Sequence, residues 1–230
     1  MMAKIGKKLK SAKAQVDKNI ALPLLEAIKL AKETSYAKFD ASIDLAIRLN
    51  LDTRKSDQQL RGAVLLPNGN GKTTKVLVLT ETPASKEAAL QAGADLVLDR
   101  QEFELWMKEA KFDVDVIVAD PKMMPVLGKY GKQLGPKGLM PNPRLGTVTP
   151  TPEKTVVELK KGKANYRADK FGIVHSLIGK QSMSDQALSE NAKVLLDTIK
   201  RLKPAAVKGV YIKNVTVSSS MGPSVKIAFD

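Results

Sequence analysis

The chain has 230 residues, with 38 Lys and Arg against 24 Asp and Glu, a net charge of +14, one histidine and no cysteine. The absence of cysteine excludes disulfides, thiolate catalysis and cysteine-ligated zinc, and a single histidine leaves little basis for a histidine metal site or a Ser/His/Asp triad. The excess of positive charge predicts a polyanionic partner, nucleic acid before an anionic membrane, although a merely solubilising surface is the alternative.

The first part of the chain predicts two helices and then two strands. A basic helix over 4–16 precedes a second helix that has Pro23 near its first turn. The segment Ser42–Leu49 alternates apolar and polar residues strictly, which is typical of a half-buried strand, and 62–66 is a further strand.

The middle of the chain predicts alternating strands and helices. Strands at 75–80, 96–98 and 114–120 are separated by a helix over 85–92, with Ser85 as its N-cap, and a helix over 102–108. Apolar strands that alternate with helices indicate βαβ units and a small parallel sheet.

The last part of the chain returns to strands with a single long helix. Strands are predicted at 164–169, 172–177 and 209–220, and an amphipathic helix over 184–201 ends before Pro204. Together with the N-terminal elements they predict an open-faced α+β sandwich.

The positive charge is confined to the two flanks. Residues 1–68 carry +6 and residues 160–230 carry +8, whereas 69–159 hold 12 charges of each sign. We therefore expect 1–68 plus 160–230 to form one basic domain, with 69–159 inserted as a second domain. The residues expected at the two crossings, and so at a hinge, are Pro67, Gly69, Gly71, Glu158 and Lys161.

Two short segments of the flanks are candidate RNA-binding sites. Before the first strand, Lys38, Phe39 and Ser42 offer a cation, a ring and a hydroxyl, and Phe39 either stacks on a base or packs in the core. A second segment either reads 2′-hydroxyls with its small residues or forms an ordinary hairpin turn. It consists of Ser218, Ser219, Ser220, Met221 and Gly222.

A third segment, 165–180, interleaves basic and aromatic residues. Arg167, Lys170, His175 and Lys180 would suit phosphate and sugar contacts, although a lone histidine such as His175 is more often structural. In the middle of the chain, 128–131 matches a GxxG clamp on RNA, and the alternative is an irregular helix packed on the sheet.

Other functional classes find little support. GNGKTT at 69–74 lacks the glycine that a phosphate-binding loop needs at position 66 and precedes a strand, so a nucleotide-dependent enzyme is disfavoured. No helix-turn-helix or zinc pattern favours a DNA-binding repressor. No apolar run is long enough to cross a membrane, and the basic N-terminal segment lacks a signal-peptide apolar region. We therefore expect no enzyme activity, cofactor, metal or membrane partner.

Five segments in order resemble the family of ribosomal protein one of the large subunit, in its bacterial form. They are KFDASIDL, RKSDQQLRG, KYGKQLGPKGLMPNPRLGTV, NYRADKFGIVH with IGK, and SSSMGPSVKI. The resemblance covers essentially the whole chain, with serine at Ser42 and 218–220 where relatives can carry threonine, which keeps the hydroxyl.

This resemblance implies a discontinuous α+β domain built from both chain ends, with a Rossmann-like parallel βαβ domain inserted. It implies a cytoplasmic structural protein that binds a three-way junction of large-subunit rRNA and forms the mobile lateral stalk near the tRNA exit site. The family helps release deacylated tRNA, and bacterial members repress translation by binding their own operon mRNA. We expect a monomer off the ribosome. The family's main RNA contacts map to Lys38, Phe39, Ser42, Arg167, Lys170, Ser220, Met221 and Gly222.

Overall fold

The computed structural model describes residues 6–17, 19–55, 58–109 and 112–229. It divides into two compact units, one formed by the chain up to Gly71 together with the chain from Ala164, and the other by Lys72–Lys163. We name them the terminal unit and the inserted unit. Lys4 and Ile5, where the predicted N-terminal helix begins, lie outside the described residues.

The described residues form nine strands and eight α-helices. The strands are β1 (Ser42–Leu49), β2 (Arg61–Leu65), β3 (Val76–Leu79), β4 (Leu96–Leu98), β5 (Val116–Ala119), β6 (Lys163–Arg167), β7 (Ile173–Lys180), β8 (Ile212–Ser219) and β9 (Ser224–Ile227). The helices are α1 (Lys7–Ala14), α2 (Leu24–Glu33), α3 (Pro83–Gln91), α4 (Arg100–Glu109), α5 (Met124–Lys129), α6 (Gly131–Leu134), α7 (Pro152–Lys160) and α8 (Asp185–Arg201).

The terminal unit is built on an antiparallel sheet with the strand order β7-β1-β8-β9. The strict alternation of β1 buries Ile43, Leu45, Ile47 and Leu49 on one side of the sheet. Helices α2 and α8 pack on that side and complete the core. The opposite side is left polar and at least partly exposed, which is the predicted open-faced sandwich.

Helix α8 begins and ends where its sequence favours it. The Ser184 hydroxyl accepts a hydrogen bond from the Ala187 backbone N–H at 3.3 Å, and Asp185 lies in the first turn. Lys200 and Arg201 lie in the last turn, where positive charge suits the helix dipole. The helix spans 17 residues, and its buried residues face the sheet.

The inserted unit has a three-stranded parallel sheet with the order β4-β3-β5. All four side chains of β3 are buried, because helices cover both faces of the sheet. Apolar residues of α3 and α7 pack on one face and those of α4, α5 and α6 on the other. The predicted fold class, an α+β sandwich from both chain ends with an inserted parallel βαβ fold, is confirmed.

The crossings between the units lie beyond the expected boundaries. The first falls after Gly71 and the second before Ala164, three and four residues later than expected. The Asn191 side chain explains the first shift, because its amide donates to the Gly69 carbonyl at 2.7 Å and accepts from the Asn68 N–H at 3.1 Å. Pro67 and Gly69 thus belong to an anchored turn of the terminal unit.

The return segment also differs from its expected position. Glu158 lies in the last turn of α7 and forms a 2.8 Å ion pair with Lys163, and Lys161 is the C-cap residue that follows α7. Leu159, between them, is buried in the core of the inserted unit. Glu158 and Lys161 therefore lie within the inserted unit and not at the crossing itself.

The structure corrects one local prediction in the middle of the chain and shows the backbone of a second. Ser85 is not an N-cap, because α3 starts two residues earlier at Pro83, whose fixed φ suits a first helical turn, and Thr82 precedes it. The GxxG segment forms the end of α5 and the start of α6, with Tyr130 at the junction. The backbone is therefore that of an irregular helix, and contact of this segment with RNA stays a prediction.

Candidate nucleic-acid interface

The open face of the four-stranded sheet carries polar side chains in ordered rows. Because β1 alternates, Ser42, Asp44, Ala46 and Arg48 point to this face. The strands paired with β1 add residues to the same rows: His175, Lys180, Asn214, Thr216 and Ser218. Strand β9 extends them with Ser224 and Lys226. The face also includes the apolar residues Ala46, Ile173 and Leu177. Its hydroxyls, its amide and its cations are groups that bind phosphates and sugars.

A hydrogen-bond network joins three strands where β1 begins. The Lys180 ammonium donates to the Ser42 hydroxyl at 2.9 Å. The Ser220 N–H donates to the Ser42 carbonyl at 2.9 Å, and the Ser220 hydroxyl accepts from the Ser42 N–H at 3.2 Å. Two hydroxyls and an ammonium are therefore held in fixed positions at the edge of the open face.

The β8–β9 hairpin next to this network has an unusual backbone. Met221 has φ +64°, the only positive φ of a non-glycine residue among those described, and its side chain is 64% exposed. Such a conformation is costly for an L-residue and is found mainly where surrounding structure enforces it. The hairpin therefore holds a flexible apolar side chain out into solvent at the edge of the polar face.

Gly222 is required by a close approach inside the same hairpin. Its N–H donates to the Ser219 carbonyl at 3.0 Å, and a Cβ on Gly222 would overlap the Ser219 hydroxyl. Ser219 alternates with Ser218 along β8, so its side chain faces the core, is buried and has no hydrogen-bond partner. We therefore no longer expect the Ser219 hydroxyl to contact RNA.

The segment before β1 keeps an aromatic ring exposed. Phe39 is 57% exposed, so of its two predicted environments the surface is the one observed. Asp40 accepts hydrogen bonds from the N–H and the hydroxyl of Ser182, each at 3.0 Å, and Ala41 is fully buried. These anchors fix the turn and hold Lys38 and Phe39 outward. We name Lys38, Phe39, Ser42, Lys180, Ser218, Ser220, Met221 and Gly222 the strand-end surface.

Arg167 and Lys170 lie near the other end of β7 from Lys180. Arg167 is the last residue of β6, which pairs with β2 in a separate two-stranded sheet. We name Arg167, Asp169, Lys170 and Phe171 the far turn, at the end of β6 and before β7. Seven residues of β7 separate it from Lys180, which corresponds to roughly 20 Å in an extended strand. The structure therefore groups Lys180 with the serines and leaves Arg167 and Lys170 apart from them.

The far turn is held by a carboxylate. Asp169 accepts from the backbone N–H groups of Ile173 at 2.8 Å and Phe171 at 2.9 Å, and these bonds hold its pKa below the ordinary value. His175, in the middle of β7 opposite Ala46, approaches Asp169 at 3.7 Å. Its side chain is 62% exposed, so it lies on the open face rather than in the core.

The RNA-binding residues predicted from the sequence do not include several residues of the open face. Asp44, Arg48, Thr216 and Lys226 lie in the same rows as the predicted ones. The alternation of β1 already placed Asp44 and Arg48 beside Ser42. The pKa of Asp44 is raised because partial burial on the sheet disfavours its charge, an effect that His175 and Lys180 oppose.

The charge of the two units agrees with a nucleic-acid surface on the terminal unit. With the boundaries as found, the terminal unit has 23 Lys and Arg against 12 Asp and Glu, and the inserted unit has 15 against 12. Among the described residues, no group of three or more acidic, histidine or cysteine side chains is arranged to hold a metal ion. None of the helices described is both long and apolar enough to cross a bilayer.

Comparison with known proteins identifies the family. The model of the ribosomal protein L1p/L10e family matches residues 31–223. A protein of Mycoplasmopsis pulmonis named large ribosomal subunit protein uL1 is 72% identical over 229 residues, which cover 100% of both chains. Proteins of the same name from Mycoplasmopsis synoviae and Mycoplasmopsis agalactiae are 64% and 62% identical over 230 residues, again 100% of both chains. The chain belongs to the ribosomal protein L1p/L10e family.

Proposed function

We propose that this protein is a structural component of the large ribosomal subunit in the cytoplasm, and that it binds rRNA through the strand-end surface. The family and the names of the relatives support the ribosomal role. The single observation that carries the RNA-binding assignment is the set of fixed hydroxyls between Lys180 and the strained Met221–Gly222 hairpin. Nothing in this arrangement resembles a catalytic site, and we propose no catalytic role.

The chemistry of the surface fits folded RNA better than duplex DNA. Ser42, Ser218 and Ser220 can each donate or accept a hydrogen bond to a 2′-hydroxyl, the group that distinguishes RNA from DNA. Asp44 can accept from the same group but would repel a phosphate, so it favours a sugar edge. The RNA would therefore present a shallow minor groove to the strand-end surface, with phosphates directed to the cations.

The cations and the exposed side chains complete this mode of binding. Arg48 and Lys226 lie further along the open face, where they would neutralise phosphates. Phe39 and Met221 project beside the hydroxyls and offer apolar contacts to a base or a ribose. Arg167, Lys170 and His175 remain proposed contacts of a second kind, to phosphates some distance from the main contact.

The finer roles rest on the resemblance. We propose that the protein forms the mobile lateral stalk near the tRNA exit site and assists release of deacylated tRNA. We also propose that it represses translation of its own operon mRNA. If so, the mRNA and rRNA occupy the same strand-end surface, and each competes with the other. The pivot for movement of the inserted unit would lie after Gly69, because Asn191 anchors the chain up to that residue.

Salt dependence tests the proposal directly. A surface that engages about 5 to 8 phosphates should lose roughly 10²- to 10⁴-fold in affinity for an rRNA fragment between 50 and 200 mM salt. The measurement is a set of Kd values from filter binding, with duplex DNA of equal length as the competitor. An affinity for rRNA that does not change with salt, or equal competition by DNA, would refute it.

A deletion variant tests whether the terminal unit is sufficient. Gly71 is joined to Ala164 by a short glycine–serine linker, which removes the inserted unit. We expect a cooperative thermal transition and an rRNA affinity within about tenfold of that of the full chain, because the strand-end surface is intact. A folded variant that does not bind rRNA would move the main site to the inserted unit.

A further inference from the structure

Many cations of the inserted unit are paired with carboxylates, but those of one segment are not. Outside 121–152, six of them form ion pairs with carboxylates: Lys72, Lys75, Lys86, Arg100, Lys160 and Lys163. The segment 121–152 contains five cations and no acidic residue, and among the described residues none of these five forms an ion pair. They are Lys122, Lys129, Lys132, Lys137 and Arg144. One part of this unit is thus electropositive although its net charge is small.

An aromatic cluster lies against this segment. Phe103 stacks on Trp106 with ring centroids 5.9 Å apart and meets Tyr130 edge-on at 5.8 Å. Trp106 meets Phe112 edge-on at 5.1 Å. Phe103 is fully buried, whereas the other three rings are partly exposed. The cluster is therefore part of the core on one side and open to solvent on the other.

The exposed side of the cluster opens into a pocket of about 490 Å³. Its lining residues are Met107, Lys108, Phe112, Tyr130, Gln133 and Lys137. None of them is acidic, and two are cations. A volume of this size is within the usual range for small-ligand sites.

The Lys137 ammonium in this pocket contacts an aromatic ring and no carboxylate. Its ammonium lies 3.4 Å from the centroid of the Phe112 ring, a cation–π contact rather than an ion pair. A phosphate carries a full negative charge and would attract this ammonium more strongly than a ring does. Such an anion would draw Lys137 off the ring and leave a face of Phe112 free for stacking.

The geometry points to a site for one unpaired nucleotide of an RNA strand. The base stacks on Phe112 beside Tyr130, Gln133 hydrogen-bonds the base edge, and Lys108 and Lys137 hold the phosphate. Sites for single-stranded nucleic acid combine aromatic platforms with a positively charged groove in this way. This proposal does not depend on rRNA binding at the strand-end surface, because the pocket lies wholly within the inserted unit.

The single tryptophan of the chain supplies a local readout. Trp106 touches Phe112, so a base in the pocket should quench its fluorescence. The full-length protein is titrated at 50 mM salt with a single-stranded octaadenylate RNA, with AMP, with a blunt RNA duplex and with octaglutamate. We expect saturable quenching by the octamer with a half-saturation point of about 1 to 100 µM, and none by the duplex or the acidic peptide.

Variants separate this site from the strand-end surface. Phe112→Leu and Lys137→Gln should each weaken octamer binding roughly tenfold or more, and Lys137→Gln leaves the aromatic core intact. The matched control is Lys154→Gln, an exposed cation of α7, which packs on the other face of the parallel sheet. It should bind as the unchanged protein does, and so should Gly222→Ala, which alters only the terminal unit.

The titrations either support this site or overturn it. Quenching by AMP as strong as that by the octamer supports the site and assigns it to a free nucleotide rather than to RNA. Equal quenching by the duplex or by octaglutamate would overturn it, because neither requires a stacked base. A normal octamer titration of both Phe112→Leu and Lys137→Gln would also overturn it, as would absence of quenching by the octamer and AMP.

Discussion

The strand-end surface and the far turn lie at opposite ends of β7 and share one feature, but their side chains are held differently. Each has an exposed aromatic ring beside a lysine: Phe39 with Lys38, and Phe171 with Lys170, whose ammonium lies 5.2 Å from the Phe171 ring. At the strand-end surface the polar groups are fixed by hydrogen bonds across three strands. At the far turn the fixed group is a carboxylate, Asp169.

This difference suits the strand-end surface to recognise the shape of an RNA and the far turn only to attract its charge. Reading of 2′-hydroxyls needs donors and acceptors at defined positions, and rigid placement lowers the entropy lost on binding. The far turn offers exposed cations next to a negative charge, which can contribute to phosphate contacts but not to register. Binding should therefore depend strongly on small changes at the strand-end surface and weakly on changes at the far turn.

The largest effect is expected from Gly222→Ala. The new Cβ would overlap the Ser219 hydroxyl, so the hairpin or the buried serine must move. We expect a 10- to 100-fold loss of rRNA affinity, because each misplaced donor removes about 1 kcal/mol or more. Filter binding gives the affinity, and circular dichroism checks that the fold remains.

A second substitution serves as the control for Gly222→Ala. Ser219→Ala removes the overlapped hydroxyl, which is buried without a partner, and should leave stability unchanged or slightly raised. The double variant Ser219→Ala with Gly222→Ala should recover affinity to within about threefold of the unchanged protein. Normal binding by Gly222→Ala alone would mean that the Ser219 side chain rotates away at no cost. RNA binding would then not depend on a fixed hairpin conformation.

Met221→Gly should have the next largest effect, with stability and binding changing in opposite directions. Glycine adopts φ +64° without a steric cost, so the thermal midpoint should stay equal or rise by a few degrees. Binding of rRNA should weaken roughly tenfold, because the exposed apolar side chain is lost. Met221→Leu is the control and should bind nearly normally. A Met221→Gly protein with full affinity would remove Met221 from the interface.

Much of this site could be predicted from the sequence, because the alternation of β1 alone determines which of its residues share the open face. The run of three serines, by contrast, hides the fact that a strand sends alternate residues to opposite sides, so Ser219 is lost to the core. The segment 165–180 similarly hides the length of β7, which places Lys170 and Lys180 at opposite ends. The contact between Gly222 and Ser219 arises from the hairpin geometry and leaves no local signal.

A smaller effect should distinguish the lysines of the two regions. Lys180→Met keeps the aliphatic chain and removes the ammonium that contacts Ser42, whereas Lys170→Met removes the ammonium of the far turn. We expect a three- to tenfold loss of rRNA affinity for Lys180→Met, with the salt slope reduced by about 1, and less than about a threefold loss for Lys170→Met. Filter binding over a salt series measures both.

The matched control for these variants is Lys193→Met. Lys193 is an exposed cation on α8, the helix that covers the buried side of the sheet, so its substitution should not change rRNA binding. A larger loss for Lys170→Met than for Lys180→Met would reverse the assignment of the two regions.

The smallest effects are expected from Asp44→Asn and Asp169→Asn, which should change the free energy of unfolding in opposite directions. Partial burial raises the pKa of Asp44, so the folded state disfavours its charge, and Asp44→Asn should raise the free energy of unfolding at pH 7. Backbone N–H groups lower the pKa of Asp169, so its stabilising contribution is present above pH 3.8 and is lost as the pH falls through the folded-state pKa. Asp169→Asn should therefore lower the free energy of unfolding at pH 7, and this difference should disappear at low pH.

Both changes should stay below about 1 kcal/mol, because solvent screens partly exposed carboxylates. Urea unfolding at pH 7 and pH 3 measures them, and two shifts of the same sign would contradict the opposite pKa directions of the two carboxylates. The Asp44→Asn protein then allows a sharper test of the comparison. If it is more stable and yet binds rRNA more weakly, the carboxylate acts as an acceptor for RNA, since removal of a negative charge alone would strengthen binding to phosphates. If it binds more tightly, Asp44 only repels the RNA and accepts no hydrogen bond from it.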